Sequence, residues 1–202
     1  AVFFALFGQA LLPREVKVEP VPGGAPVVSV LTFNLHARNP DPEGVARAIN
    51  GVDFTLDEGE TLAILGESGS GKSVTAQAIM GILDMPPATI PRGHIRYKGE
   101  DLLTMDEESR RKMRGPQISM VFQDALSSLN PVFPVGWQIG EMFRKHRGLS
   151  RSQAYDEAVR LMEKVNIPGA RQRVKAYPHQ FSGGMRQRVM IAMALANEPD
   201  LL

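Results

Sequence analysis

Eight residues, Gly66-Glu67-Ser68-Gly69-Ser70-Gly71-Lys72-Ser73, fill every fixed position of the pattern G-x-x-x-x-G-K-[ST]. The chemistry open to such a run is anion binding. Gly66, Gly69 and Gly71 let the backbone turn tightly and come close to a phosphate. Successive amides, through Glu67, Ser68 and Ser70 to Val74, then face the anion where the next helix begins. Lys72 is placed to reach the β- and γ-phosphates of a nucleoside triphosphate as a point charge, and Ser73 to offer its hydroxyl to Mg²⁺. More than a hundred residues later comes a second run, Phe181-Ser182-Gly183-Gly184-Met185-Arg186-Gln187-Arg188. Ser182 suits a helix N-cap, and Gly183-Gly184 leaves amides with no side chain before them. Two readings stay open for it. It is an ordinary capped helix, or it is a second anion site aimed outward. One chain has no need of two γ-phosphate cradles, so in the second reading Ser182 and Gly184 address a nucleotide held by another subunit.

These runs need elements to hold them. Thr61 to Leu65 is a short apolar stretch, as in a parallel strand buried on both faces. The glycine loop follows it, and then a helix from about Lys72 to Leu83 with Ala78, Ile79, Ile82 and Leu83 on one face. Pro86-Pro87 and Pro91 are expected to end that helix. Upstream, Pro20 to Pro26 reads as a linker, 27–35 as a half-buried strand, 39–44 as a turn, 48–56 as a second strand and 57–60 as a tight turn. Downstream, 93–99 alternates like an edge strand and 118–122 like a short buried one. Residues 124–148 are loop-rich and then weakly helical. Residues 150–165 are clearly amphipathic, with Ala154, Ala158, Leu161, Met162 and Val165 at helical spacing. The helix from Met185 to Ala196 is apolar almost all round, which predicts deep packing.

Bulk properties narrow the class. A chain of 202 residues can bury a sizeable core and suggests one domain with a possible subdomain. Lys and Arg total 23 against 22 Asp and Glu, so overall charge makes no case for a nucleic-acid partner. With no cysteine, disulfides and thiolate metal sites are excluded. Ala1 to Leu12 is apolar but too short to span a bilayer, which takes roughly 20 apolar residues, and it has no basic front end of a secretory signal. It is read as the end of something upstream or, alternatively, as a short interfacial helix.

From Val27 onward the chain resembles the nucleotide-binding subunit of an ATP-binding cassette (ABC) importer, of the dipeptide, oligopeptide and nickel uptake branch. The resemblance rests on the Gly66–Ser73 loop, on Val121-Phe122-Gln123-Asp124 with Ser127-Ser128-Leu129-Asn130-Pro131, and on Tyr177-Pro178-His179-Gln180 leading into Phe181–Arg188. It implies an α/β fold of the P-loop NTPase cassette type. Such a fold has a RecA-like parallel sheet core, an N-terminal antiparallel β subdomain and a helical signature subdomain, here at about 125–180. Residues 1–26 are then expected outside the fold and 27–202 to form a partial nucleotide-binding domain. The resemblance further implies ATP and Mg²⁺ as cofactors, Lys72 and Gln123 in catalytic roles, and Ser73 and Gln123 near the metal. Ser182, Gly183, Gly184 and Met185 would close over ATP on a partner. The implied partners are integral-membrane permease subunits, a second cassette (identical or related) and, indirectly, a periplasmic or extracellular solute-binding protein. Nucleic acid is not among them, and the location is the cytoplasmic face of the membrane. The segment after Gln123, with Phe133 and Trp137, would face the permease, although either ring suits a core equally well.

The chain departs from the family pattern in places. An adenine-stacking aromatic is usual just after the first strand, where this sequence has His36 or Ala37. Met185 stands where Gln is commoner. Family members continue past a segment like Pro199-Asp200-Leu201-Leu202 into a strand ending in Asp, then a Glu and later a His. Metal support, water activation and γ-phosphate sensing depend on those groups. The 202 residues alone are therefore expected to bind ATP without cleaving it at a useful rate, and to pack incompletely where that strand would lie. Two other classes share the Gly66–Ser73 pattern. An ABC-type ATPase acting on DNA would carry long heptads or zinc cysteines between the two runs, and neither is present. A non-catalytic ATP- or permease-binding module has no such feature against it.

Overall fold

The computed structural model describes residues 3–8, 28–38, 45–85, 88–123 and 128–202. The Pro20–Pro26 linker, the 39–44 turn, and Asp124 and Ser127 of the Gln123 segment lie outside the described residues. Two compact units emerge, Val2–Arg111 (with Leu201) and Lys112–Asp200, with the division inside helix α2 (Glu107–Met113).

The first unit is mainly sheet. Strand β2 (Val28–Arg38) has β3 (Val45–Asn50) and β4 (Phe54–Leu56) antiparallel along one edge and β6 (Thr89–Tyr97) along the other. The expected single strand over 48–56 is thus two. They are separated at Gly51, whose φ of 81° is left-handed. The 93–99 segment was expected at an edge, yet β6 lies between β2 and the two-residue strand β7 (Glu100–Asp101). It also starts at Thr89, so Pro91 lies inside a strand. Pro91 is tolerated there because the β2–β6 pairing is irregular over that stretch. Lys98 and Gly99 join β6 to β7 with φ of 50° and 87°, the two positive values that a tight two-residue hairpin turn requires. Asp101 fixes this corner, accepting hydrogen bonds from the amides of Ile95 and Leu103 at 3.2 and 3.1 Å and pairing with His94 at 2.6 Å. Partial burial opposes its charge, but these bonds outweigh that and hold its pKa below the usual carboxylate value. Leu56, Ile95, Tyr97 and Leu102 are buried.

Strand β5 (Thr61–Gly66) corrects the expectation of a strand buried on both faces. Its residues alternate between exposed and half-buried, and Leu65 is 71% exposed. Among the described residues its one paired neighbour is β1 (Phe3–Gly8), parallel and in register from Phe3↔Thr61 to Gly8↔Gly66. Part of the 1–26 segment expected outside the fold is therefore strand here.

The second unit is helical: α3 (Val135–Arg147), α4 (Arg151–Lys164), the short α5 (Ala170–Arg173) and α6 (Gly183–Leu195). Its core gathers Ile139, Phe143, Ala158, Met162, Val174, Val189 and Ala192. The first amides of α3, at Val135 and Gly136, donate to the carbonyls of Ala176 and Val174 at 2.9 and 2.8 Å. A distant segment thus satisfies donors that a helix start leaves open. The expected strand over 118–122 does not form. Residue 118 makes only an isolated bridge to Arg114, and Phe122 is 44% exposed. An apolar run becomes a strand only where a partner edge accepts its amides, and no described strand offers one.

Helix α4 lies within the amphipathic span expected over 150–165, and its start is closed by a cap that the sequence reading did not name. Ser150 accepts from the Gln153 amide through its side chain, and Gln153 accepts from the Ser150 amide at 3.0 Å, a reciprocal capping box. Replacing Ser150 with alanine is expected to cost about 1 kcal/mol. Urea unfolding would show this as a lower midpoint with unchanged slope, because Ser150 is exposed and no packing is lost with it.

Candidate phosphate and signature sites

The Gly66–Ser73 loop leaves β5, makes a turn closed by the Ser70 amide donating to the Glu67 carbonyl at 3.2 Å, and enters helix α1 (Lys72–Met80). Gly69 and Gly71 have φ of 83° and 89°, a conformation that side chains resist. At Gly66 the constraint is proximity, since a Cβ there would stand 2.5 Å from the Ser70 Oγ. The cap residue Gly71 offers no side-chain oxygen, so the first amides of α1 lack a side-chain acceptor and remain available to an anion. Thr75 returns its amide and hydroxyl to the Gly71 carbonyl at 2.8 and 3.0 Å and ties the loop to the helix. The sequence reading missed Thr75, although a hydroxyl four residues beyond a loop glycine is its signal. The Lys72 ammonium folds over the loop, donating to the carbonyls of Gly66 and Glu67 at 2.7 Å each and reaching the Ser70 Oγ at 3.3 Å. One cation, open amides and an exposed Ser73 suit a polyphosphate. The described residues contain no cluster of three His, Asp or Glu able to hold a metal. A divalent ion at Ser73 would take further oxygen ligands from the phosphates and water.

The second run lies in the helical unit. Ser182 is the N-cap of α6, its Oγ accepting from the Met185 amide at 3.3 Å and its carbonyl from the Arg186 amide at 2.9 Å. Gly183 and Gly184 are exposed, with nothing within 4 Å of where a Cβ would stand. Around this bare tip the helix is well anchored. Phe181 is buried, Arg186 donates to the Pro178 carbonyl at 2.8 Å, and Arg188 to the Asn166 carbonyl at 2.7 Å. Met185 is half-buried against the helical core. Beyond its first two turns α6 has no exposed residue, matching the expected deep packing. Gln123 belongs to the same unit and is exposed at a bend. Each unit thus gathers its own run: Gly66 to Val74 in the first, Ser182 to Met185 in the second. Of His36 and Ala37 the structure gives backbone only, within β2.

Strand, glycine loop and helix in this order define a P-loop nucleotide-binding protein. Residues 49–202 match the family described as ABC transporter, and the chain belongs to that family. It is 55% identical over 159 residues to the oligopeptide transport ATP-binding protein OppD of Bacillus subtilis, covering 79% of this chain and 44% of that one. It is 48% identical over 169 residues to the dipeptide transport ATP-binding protein DppD of the same organism, covering 84% and 50%. The chain therefore spans about half the length of the curated relatives it matches. Among solved structures it is similar to the dimeric post-hydrolysis state of the ATP-binding cassette MJ0796 bound to ADP and Pi. That match has a TM-score of 0.74 and 26% identity, over 85% of this chain and 70% of that one. The antiparallel sheet, the P-loop and the helical unit are the cassette architecture that the sequence led us to expect.

Proposed function

We propose that the chain is the ATP-binding part of an ABC importer, coupling ATP binding and hydrolysis to uptake of peptides or a related small solute through a membrane permease. The observation that carries this reading is its 55% identity to an oligopeptide transport ATP-binding protein over 159 residues. In this reading Lys72 and the amides of the Gly66–Val74 loop hold the β- and γ-phosphates, and Ser73 and Gln123 face the metal. Lys72 then exchanges its bonds to the Gly66 and Glu67 carbonyls for phosphate oxygens, which keeps the ammonium hydrogen-bonded throughout. Ser182 to Met185 present bare amides to ATP held by a second cassette, so the site is completed across a dimer. Closure of that dimer would be passed to permease subunits by the segment after Gln123, and a solute-binding protein would act on the far side of the membrane. The working location is peripheral, at the cytoplasmic face. Among the described residues no helix is long and apolar enough to cross a membrane.

Equilibrium dialysis with radiolabelled ATP and Mg²⁺, run beside a phosphate-release assay on the same sample, tests this. Saturable binding with phosphate release supports the full reading. Retained ATP without release identifies a binding module, and no retained ATP overturns both.

A further inference from the structure

Tyr177-Pro178-His179-Gln180, just ahead of the second glycine run, has no part in holding phosphate. Its two rings stack in the open. The centroids of Tyr177 and His179 are 5.8 Å apart with their planes 14° apart, and both residues are exposed. The turn beneath them is fixed at several points. Pro178 and Phe181 are buried. The Tyr177 amide donates to Gln180 Oε1 at 2.8 Å, and the Gln180 amide donates to the Tyr177 carbonyl at 2.9 Å. Arg186 ties the Pro178 carbonyl to α6 at 2.8 Å. The ring pair and the start of α6 are thus held as one piece. The other exposed aromatics, Phe122, Phe133 and Trp137, belong to or border the segment that the proposed function gives to the permease.

We infer that the Tyr177–His179 pair stacks on the base of a nucleotide whose phosphates lie in a second copy's Gly66–Ser73 loop. The inference rests on the proposed reading in which Ser182 to Met185 face ATP held by another cassette. A flat aromatic face beside bare amides matches the two ends of a nucleotide, a π-surface and an anion. The reach agrees. At about 2 Å per residue in the 3-10 turn and about 3.3 Å per residue outside it, the Tyr177 and Ser182 backbones lie no more than about 14 Å apart. An extended nucleoside triphosphate spans that step. At 5.8 Å the pair is too close to admit a third ring between its members, which takes about 7 Å, so the base lies against an outer face. In the first unit the described aromatic side chains are poorly placed for this. Phe54 is half-buried, and Tyr97 is 3% exposed with the Lys98 ammonium 5.4 Å from its ring centroid. Stacking tolerates any base, so the pair adds affinity with little preference between ATP and GTP.

A mixed sample shows which chain touches the base. Full-length chain is combined with an isotopically heavy Lys72→Ala chain, whose own loop holds ATP poorly, and irradiated with 8-azido-ATP and Mg²⁺. Mass spectrometry is expected to find the label on Tyr177 or His179 of the heavy chain. In parallel, ATP-driven dimerisation is followed by sedimentation. The variant Tyr177→Ala/His179→Ala should weaken it about tenfold, and Tyr177→Phe, which keeps the ring, should stay within about twofold of the parent. Should the double variant misfold by circular dichroism, His179→Ala alone should lose about threefold. Binding of inorganic tripolyphosphate, which has no base, should be the same in parent and variants. Retained ATP with the label elsewhere, or with dimerisation unchanged in the alanine variants, would overturn the inference and leave ATP binding by the phosphate loop standing. An equal loss of tripolyphosphate binding would also overturn it, because the rings would then act through the fold. A sample that retains no ATP would instead overturn the proposed function and this inference with it.

Discussion

Replacing Lys72 with alanine is expected to weaken ATP binding by about a hundredfold while leaving the fold intact. The ammonium's bonds to Gly66 and Glu67 lie in a largely exposed loop, so the carbonyls released can turn to water. Against ATP the loss is different in kind. In the proposed reading two charge-assisted bonds to the terminal phosphates would disappear, worth together about 3 kcal/mol, and the loop amides would be left to hold the charge. Titration with a fluorescent ATP analogue measures the loss, and a thermal melt without nucleotide verifies the fold. An affinity within about threefold of the parent would show that this loop is not where the phosphates bind.

Gly136→Ala should have the largest effect on stability, a loss of about 2–4 kcal/mol. A Cβ at this position would stand 2.1 Å from Val174 Cγ2 and 2.6 Å from the Val174 carbonyl oxygen. That oxygen accepts the Gly136 amide at 2.8 Å, so it cannot retreat without unmaking the bond that closes the start of α3. Overpacking and the loss of a buried hydrogen bond therefore arrive together. Val174 is itself 1% exposed and wedged in the helical core, which leaves it little room to rotate away. Guanidinium unfolding of parent and variant would measure the difference. A change under about 0.5 kcal/mol would mean that the α3–Val174 contact yields far more easily than close packing allows.

What could be read from the chain follows how local the controlling interactions are. The Gly66–Ser73 loop was legible because its parts lie within eight residues and only certain side chains fit. The 150–165 helix was legible for the same reason, its apolar face repeating at helical spacing. The failures are long-range. Alternation in Gly93–Gly99 announces a strand but not how many neighbours it has, so β6 was misread as an edge. The apolar runs at 61–65 and 118–122 differ little in text, yet β5 finds β1 as a partner and 118–122 finds only a single bridge. The closing of α3 by the Val174 and Ala176 carbonyls joins residues some forty positions apart and leaves no mark in either segment.

The cap at Ser182 has a consequence for how one side chain can serve two masters. A hydroxyl carries two lone pairs and one proton. Holding the start of α6 uses a lone pair, with the Met185 amide as donor. The proton is still free to swing outward to an oxyanion, and doing so polarises the oxygen and strengthens the bond it already accepts. Aspartate or asparagine would cap the helix equally well. Aspartate, however, would meet an incoming phosphate with its own negative charge, and asparagine would have to turn its amide group round to donate. Serine lets the end of the helix stay closed and receptive at once.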